Sequence, residues 1–205
     1  MEQIIIAFFR PEVNSEMIEV RVKKKIGDFL LDAELKDEGF ICLTGKNGSG
    51  KSSLLSVIAG IYQMDEGYIK INSETITEEP LEKRQVVLVT QDSYIPHLEV
   101  SKHLILGAKL RKKKVEDDLI SEMERKLGIN YSGQISKLSL GMRERVSLAT
   151  ALLSYPKLIL IDEAFANLDN RIEFINSYRD FALSWACWVI VITLNPSLGI
   201  FSHLQ

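Results

Sequence analysis

The chain has 205 residues, 26% of them charged, and a formal net charge of −3. That length holds one α/β domain with a sizeable core, or a domain carrying a small subdomain, rather than two full domains, and so even a charge balance gives no general electrostatic case for a nucleic-acid partner. No apolar run approaches the roughly 20 residues of a membrane span, and Cys42 and Cys187 stand without CxxC or histidine spacing, as core fillers in a reducing, cytoplasmic setting.

The run Ile4 to Phe9 lacks the basic leader and cleavage site of a signal peptide, and Pro11 and Asn14-Ser15 break up the residues just after it. Residues 1–17 are therefore an N-terminal lead, either an accessory strand or a poorly ordered tail, with no assigned role; residues 18–205 form a single domain. From Ile18 the pattern alternates. Ile18, Val20 and Val22 share one face, and after Gly27 a second run sets Phe29, Leu31, Ala33 and Leu35 inward and Asp32, Glu34 and Lys36 outward, as two antiparallel strands joined by a turn.

The buried run Phe40 to Leu43 leads into Gly45-Lys46-Asn47-Gly48-Ser49-Gly50-Lys51-Ser52, which fits G-x-x-x-x-G-K-[ST] at every fixed position, and a helical pattern of Leu54, Leu55, Val57 and Ile58 comes next. Glycines let the backbone curl until successive N–H groups share one concavity, and a helix N-terminus adds partial positive charge there, so the segment is a phosphate-binding loop for an anion of triphosphate size. Lys51 would reach the β- and γ-phosphates, and the hydroxyl of Ser52 would ligate Mg²⁺.

The helix ends near Gly60. Gly67 to Ile71 alternates as a further strand, and Val86 to Thr90 reads as a strand covered on both faces, with Gln91 at its end. From about Val100 to Leu127 the pattern is helical, with Leu104, Leu106, Ile120, Met123 and Leu127 inward and Arg111 to Lys114 on a solvated face. Leu138-Ser139 opens another helix. Leu158 to Ile161 is a buried strand ending in Asp162-Glu163, and Val189 to Thr193 is the last clear strand. An apolar strand that ends in two carboxylates downstream of a phosphate loop suits nucleotide chemistry: Asp162 would hold the Mg²⁺ shell and Glu163 would stand near a water attacking the γ-phosphate.

In this order the phosphate loop, Gln91 in Val89-Thr90-Gln91-Asp92, Leu138-Ser139-Leu140-Gly141-Met142, Asp162-Glu163 and Ala166-Asn167-Leu168-Asp169 resemble the ATP-binding subunit of the ABC transporter family. The stretch Leu138 to Met142, a variant of the L-S-G-G-Q signature, separates that family from most other phosphate-loop proteins. The resemblance implies an α/β phosphate-loop NTPase core of ABC type, with an antiparallel β layer and an inserted helical subdomain at about residues 98–145. It also implies a head-to-tail dimer, homo- or heteromeric, with two ATP molecules between the subunits. The site residues it implies are Gly45, Asn47, Gly48, Ser49, Gly50, Lys51, Ser52 and Ser53 around the phosphates, with Ser139, Gly141 and Asp169 completing the partner's site. Glu163, Lys51 and Gln91 would serve catalysis, and Ser52, Gln91 and Asp162 would serve Mg²⁺. The segment Tyr94 to Val100 is similar to the region that importer-type ATPases set near a membrane subunit's coupling helix.

Four features depart from the family pattern. Leu140 and Met142 stand in the signature, where Ser139 and Gly141 survive. Leu194 comes after Thr193 where the family's switch histidine stands, and none of His97, His103 or His203 aligns with it. Ile26-Gly27 occupies the place of the aromatic that packs on adenine, as in some molybdate- and tungstate-type importer ATPases, which makes Ile26 the expected base contact. The C-terminus is also short for the family. The expected protein is thus an ATPase, peripheral on the cytoplasmic face of the cell membrane, that powers transport through separate permease subunits, with an oxyanion such as molybdate or tungstate as the favoured substrate. Transport direction stays open, because the signature variant leans toward export. The rival is an ATP-gated regulatory module with little hydrolysis, supported by Leu194. A DNA-repair or chromosome-organising ATPase would need a long heptad insertion, for which the segment between Ser53 and Leu138 is too short.

Overall fold

The structure is a computed structural model describing residues 5–9, 17–37 and 39–193, with the backbone alone for 5–9. Among the described residues the chain runs β1 (Ile5–Phe9), β2 (Ile18–Ile26), β3 (Phe29–Asp37), β4 (Phe40–Thr44), α1 (Lys51–Ala59), β5 (Glu66–Ile71), β6 (Glu74–Thr75) and β7 (Val86–Val89). It continues through α2 (Val100–Leu104), α3 (Leu106–Leu110), α4 (Asp117–Leu127), a 3₁₀ turn (Ile135–Lys137), α5 (Leu140–Leu153), β8 (Leu158–Asp162), α6 (Arg171–Ser184) and β9 (Trp188–Ile192).

Two sheets form. The first has the order β1-β4-β9-β8-β7, with β4, β9, β8 and β7 parallel and β1 antiparallel along β4; the second, β3-β2-β5-β6, is antiparallel throughout. Because side chains alternate across a strand, each parallel strand serves two cores. Ile41, Leu43, Leu158, Leu160, Ile190 and Ile192 join Leu54, Leu55 and Ile58 of α1 and the inner face of the antiparallel sheet. Cys42, Ile159, Ile161, Val189 and Val191 join residues of α2, α4, α5 and α6 on the opposite face. Helix α1 is thus held between the sheets, and its N-terminus is fixed relative to both.

Three expectations from the pattern are corrected. The strand β7 is an edge of its sheet, so Val86, Val87 and Leu88 are only half-buried rather than covered on both faces. The helical stretch from Val100 to Leu127 is broken into α2, α3 and α4, and Leu106 is half-buried; the basic run Arg111 to Lys114 lies in the link between α3 and α4, with Lys112, Lys113 and Lys114 exposed as expected. Phe29, expected inward, is 39% exposed. It starts β3, beyond the end of the inner face, so the alternation carries it past the core rather than into it. The N-terminal run does pair as a strand, β1.

Candidate functional site

Four parallel strands end on one edge of the sheet, which is where open α/β sheets bind ligands. There the chain leaves β4 into residues 45–50, β8 into Glu163, β9 beyond Ile192 and β7 toward Gln91. Gly45, Gly48 and Gly50 all take positive φ (150°, 82° and 89°), the backbone freedom that the loop pattern requires. Gly50 also meets a close approach: a Cβ there would stand 2.8 Å from Phe29 Cζ.

Lys51 begins α1 and is 6% exposed. Its ammonium folds back across the loop and donates to the carbonyls of Gly45 and Lys46, each at 2.8 Å. The loop therefore surrounds a fixed cation at the N-terminus of α1, where the first N–H groups have no intrahelical acceptor. A cavity of about 310 Å³ opens beside it, lined by Asn47, Gly48, Gly50, Lys51, Ser52, Ser53 and Glu163, together with Phe29 and Ile192. Glu163 has a left-handed backbone (φ 58°), a costly state for a non-glycine residue, and Ala166 N–H closes the turn on its carbonyl at 3.1 Å.

Ser49 is buried in the loop, and Gly45 forms its first turn. Gln91 lies in a turn closed by Thr90 N–H on Ser93 Oγ (2.8 Å) and Ser93 N–H on Thr90 O (3.1 Å). Gln91 and half-buried Asp162 stand at the same sheet edge without lining the cavity, and Ile26 is the cross-strand partner of Phe29 across the β2–β3 hairpin. The aromatic beside the loop is Phe29, which the alternation had hidden.

Ser139, Gly141 and Asp169 do not line that cavity. Ser139 caps α5, its Oγ accepting Met142 N–H at 3.3 Å. A Cβ on Gly141 would stand 2.5 Å from Asn167 O, in the loop after Glu163. Asp169 is exposed, and its carbonyl accepts from Arg145 Nη2. Sequence reasoning missed buried Glu144, which binds Asn167; burial pushes its carboxyl above the ordinary range, against the opposing pull of two Asn167 N–H groups. Only the pair of short N–H contacts reveals it, since helical periodicity marks the position as one more inward residue. Leu194, Asn195 and His203 lie outside the described residues.

A parallel sheet whose first glycine loop runs into a helix and wraps a lysine defines an α/β phosphate-loop protein. The sequence profile of the ABC transporter family matches residues 31–166, and the chain belongs to that family. It is 36% identical over 156 residues to the molybdate/tungstate import ATP-binding protein WtpC of Archaeoglobus fulgidus, covering 74% of this chain and 65% of that protein. It is 40% identical over 150 residues to the protein of the same name from Pyrococcus abyssi, covering 71% of this chain and 43% of that protein. The chain thus spans less than two thirds of the length of these two relatives. A probable sulfate/thiosulfate import ATP-binding protein of Chlorella vulgaris is 36% identical over 164 residues, covering 74% of this chain and 68% of that protein. The fold is shared with a putative ABC transporter ATP-binding protein from Pyrococcus furiosus, at a TM-score of 0.74 and 22% identity over 87% of this chain and 92% of the other.

Proposed function

We propose that the chain binds and hydrolyses ATP as the nucleotide-binding subunit of an ABC importer for an oxyanion of the molybdate, tungstate or sulfate kind. The observation that carries this reading is the Lys51 ammonium held inside the glycine loop, on one cavity with Ser52 and Glu163. The loop N–H groups and Lys51 take the phosphates and offset the charge that develops on transfer. Glu163 orients the attacking water and takes up its proton, and Gln91 reports on that water from its turn. The relatives' names, import ATP-binding proteins for molybdate, tungstate and sulfate, support the substrate class and the direction.

Among the described residues no group of three or more His, Cys, Asp or Glu side chains could hold a metal ion alone. Mg²⁺ takes oxygen ligands and keeps waters and phosphate oxygens in its shell. The Ser52 hydroxyl, in the first turn of the helix after β4, and the Asp162 carboxylate, at the end of β8 with β9 between, are donors of that type, and Gln91 follows β7 on the same sheet edge. Such an ion would neutralise charge on the phosphate oxygens.

Ser139, Gly141 and Asp169 do not line their own chain's cavity, and in this reading they complete the site of a second ATP-binding subunit, identical or related, in a head-to-tail dimer. No described helix is long and apolar enough to cross a membrane. The relatives' role as import ATP-binding proteins supports a partnership with separate permease subunits, with this chain peripheral on the cytoplasmic face. The residues of α2 to α4 belong to an inserted helical subdomain, about 98–145. One observation favours a second reading, an ATP-gated regulatory module: Leu194 has no hydrogen-bonding side chain with which to hold a water or a phosphate oxygen.

Steady-state phosphate release with Mg-ATP over a range of protein concentrations tests the proposal. Release that rises faster than linearly with protein and is lost in Glu163→Gln supports it. Mg-ATP affinity unchanged in Lys51→Ala overturns the site; a silent parent restored by Leu194→His favours the regulatory reading.

A further inference from the structure

Glu144 lies on α5, one turn beyond Gly141, and is 1% exposed. Its carboxylate grips a single residue twice: Oε1 accepts Asn167 Nδ2–H at 2.7 Å, and Oε2 accepts Asn167 backbone N–H at 3.2 Å. Burying a carboxylate is costly unless its oxygens are well served. A neutral amide here would present one acceptor and one donor, and would satisfy only one of the two N–H groups; a carboxylate accepts both.

Asn167 sits midway along the loop from Glu163 to α6, and two neighbours on α5 also hold that loop, one at Asn167 itself and one at Asp169. The Asn167 carbonyl packs on Gly141 so closely that a Cβ would stand 2.5 Å away. Arg145 donates to Asp169 O and, at 2.7 Å, to Leu127 O, with its guanidinium 4.9 Å above the Phe174 ring. The first turns of α5 and the loop 163–169 are thereby joined through a glycine contact, a buried carboxylate and an arginine.

We propose that Glu144 is a positioning residue for hydrolysis. By clamping Asn167 it sets the loop that carries Glu163 toward the phosphate cavity, and it ties that loop to the turn presenting Ser139 and Gly141. This rests on the ATP-hydrolysing reading above. Under it, the acid a chain uses on its own nucleotide and the groups it offers to a second copy move as one body.

A double-mutant cycle in the full chain tests the proposal, using Glu144→Ala, Asn167→Ala and the pair, with kcat, KM and Mg-ATP affinity measured for each. Each single change lowers kcat about 10- to 100-fold and moves KM less than about 2-fold, because the reacting acid shifts while the phosphate loop stays. The double loses no more than the worse single, and Glu144→Gln, which keeps one acceptor, falls between parent and Glu144→Ala. Additive losses, or a raised KM with kcat intact, overturn the proposal. Hydrogen exchange gives a readout independent of turnover. In the parent Mg-ATP slows exchange in 163–169 and 139–145 together; in Glu144→Ala and, more weakly, Glu144→Gln the slowing stays within 163–169. Joint slowing that survives both changes also overturns it. A parent that binds no Mg-ATP overturns the ATPase reading itself, whereas a binding parent with additive losses overturns only the role of Glu144.

Discussion

His103 accepts the backbone N–H of Ile95 at its Nε2, at 3.2 Å. A peptide N–H only donates, so Nε2 is unprotonated and Nδ1–H donates to Thr150 Oγ1 at 2.9 Å. One neutral ring thus joins α2, α5 and the segment just after Gln91.

That ring makes stability sensitive to acid. Burial holds His103 below its ordinary value, so its contribution is fully present above the unfolded pKa of about 6.5 and is lost as pH falls through the folded value. Denaturation midpoints from pH 8 to pH 5 will fall more steeply for the parent than for His103→Gln, which cannot titrate. Parallel slopes would show that the ring is not held neutral.

Glu144 has the opposite sign. Burial raises its folded pKa above the unfolded value, so the native state binds the extra proton between the two values. Its contribution is full below the unfolded pKa and is lost as pH rises through the folded one. The stability of Glu144→Gln relative to the parent will therefore increase from pH 4 to pH 8 in urea titrations; a difference that is flat or falls with pH contradicts the buried carboxylate.

Two candidates compete for the base contact, Ile26 and Phe29, and only Phe29 lines the cavity. Phe29→Ala will weaken Mg-ATP binding about 2- to 10-fold, the worth of one aromatic contact, while Ile26→Ala stays closer to the parent. Calorimetric titration that finds the loss at Ile26 alone would restore the sequence expectation.

Gly48 and Gly50 separate backbone strain from crowding. Both have positive φ, but a Cβ on Gly48 meets nothing within 4 Å, whereas one on Gly50 meets the Phe29 ring at 2.8 Å. Gly48→Ala will cost about 1–2 kcal/mol from the left-handed backbone, and Gly50→Ala will cost more. Adding Phe29→Ala to Gly50→Ala will recover the excess in thermal unfolding; no recovery would show that the ring gives way freely.

The local pieces are written in the amino-acid order alone. The loop Gly45 to Ser52, helix α1, the alternating strands β2 and β3, the apolar β8 ending in Asp162, and the cap at Ser139 are legible because backbone freedom, helical period and strand alternation act over a few neighbouring residues. The rest depends on tertiary contacts. Whether an apolar strand is central or at an edge depends on which strands pair, so β7 misled. Phe29 is inward by alternation and exposed in fact, since the core stops short of it. Glu144 and Asn167 are 23 residues apart in the chain, and His103 and Thr150 are 47 apart. Nothing in the local pattern of either segment registers such a pairing, because a buried polar group is fixed by a partner that only folding brings within about 3 Å of it.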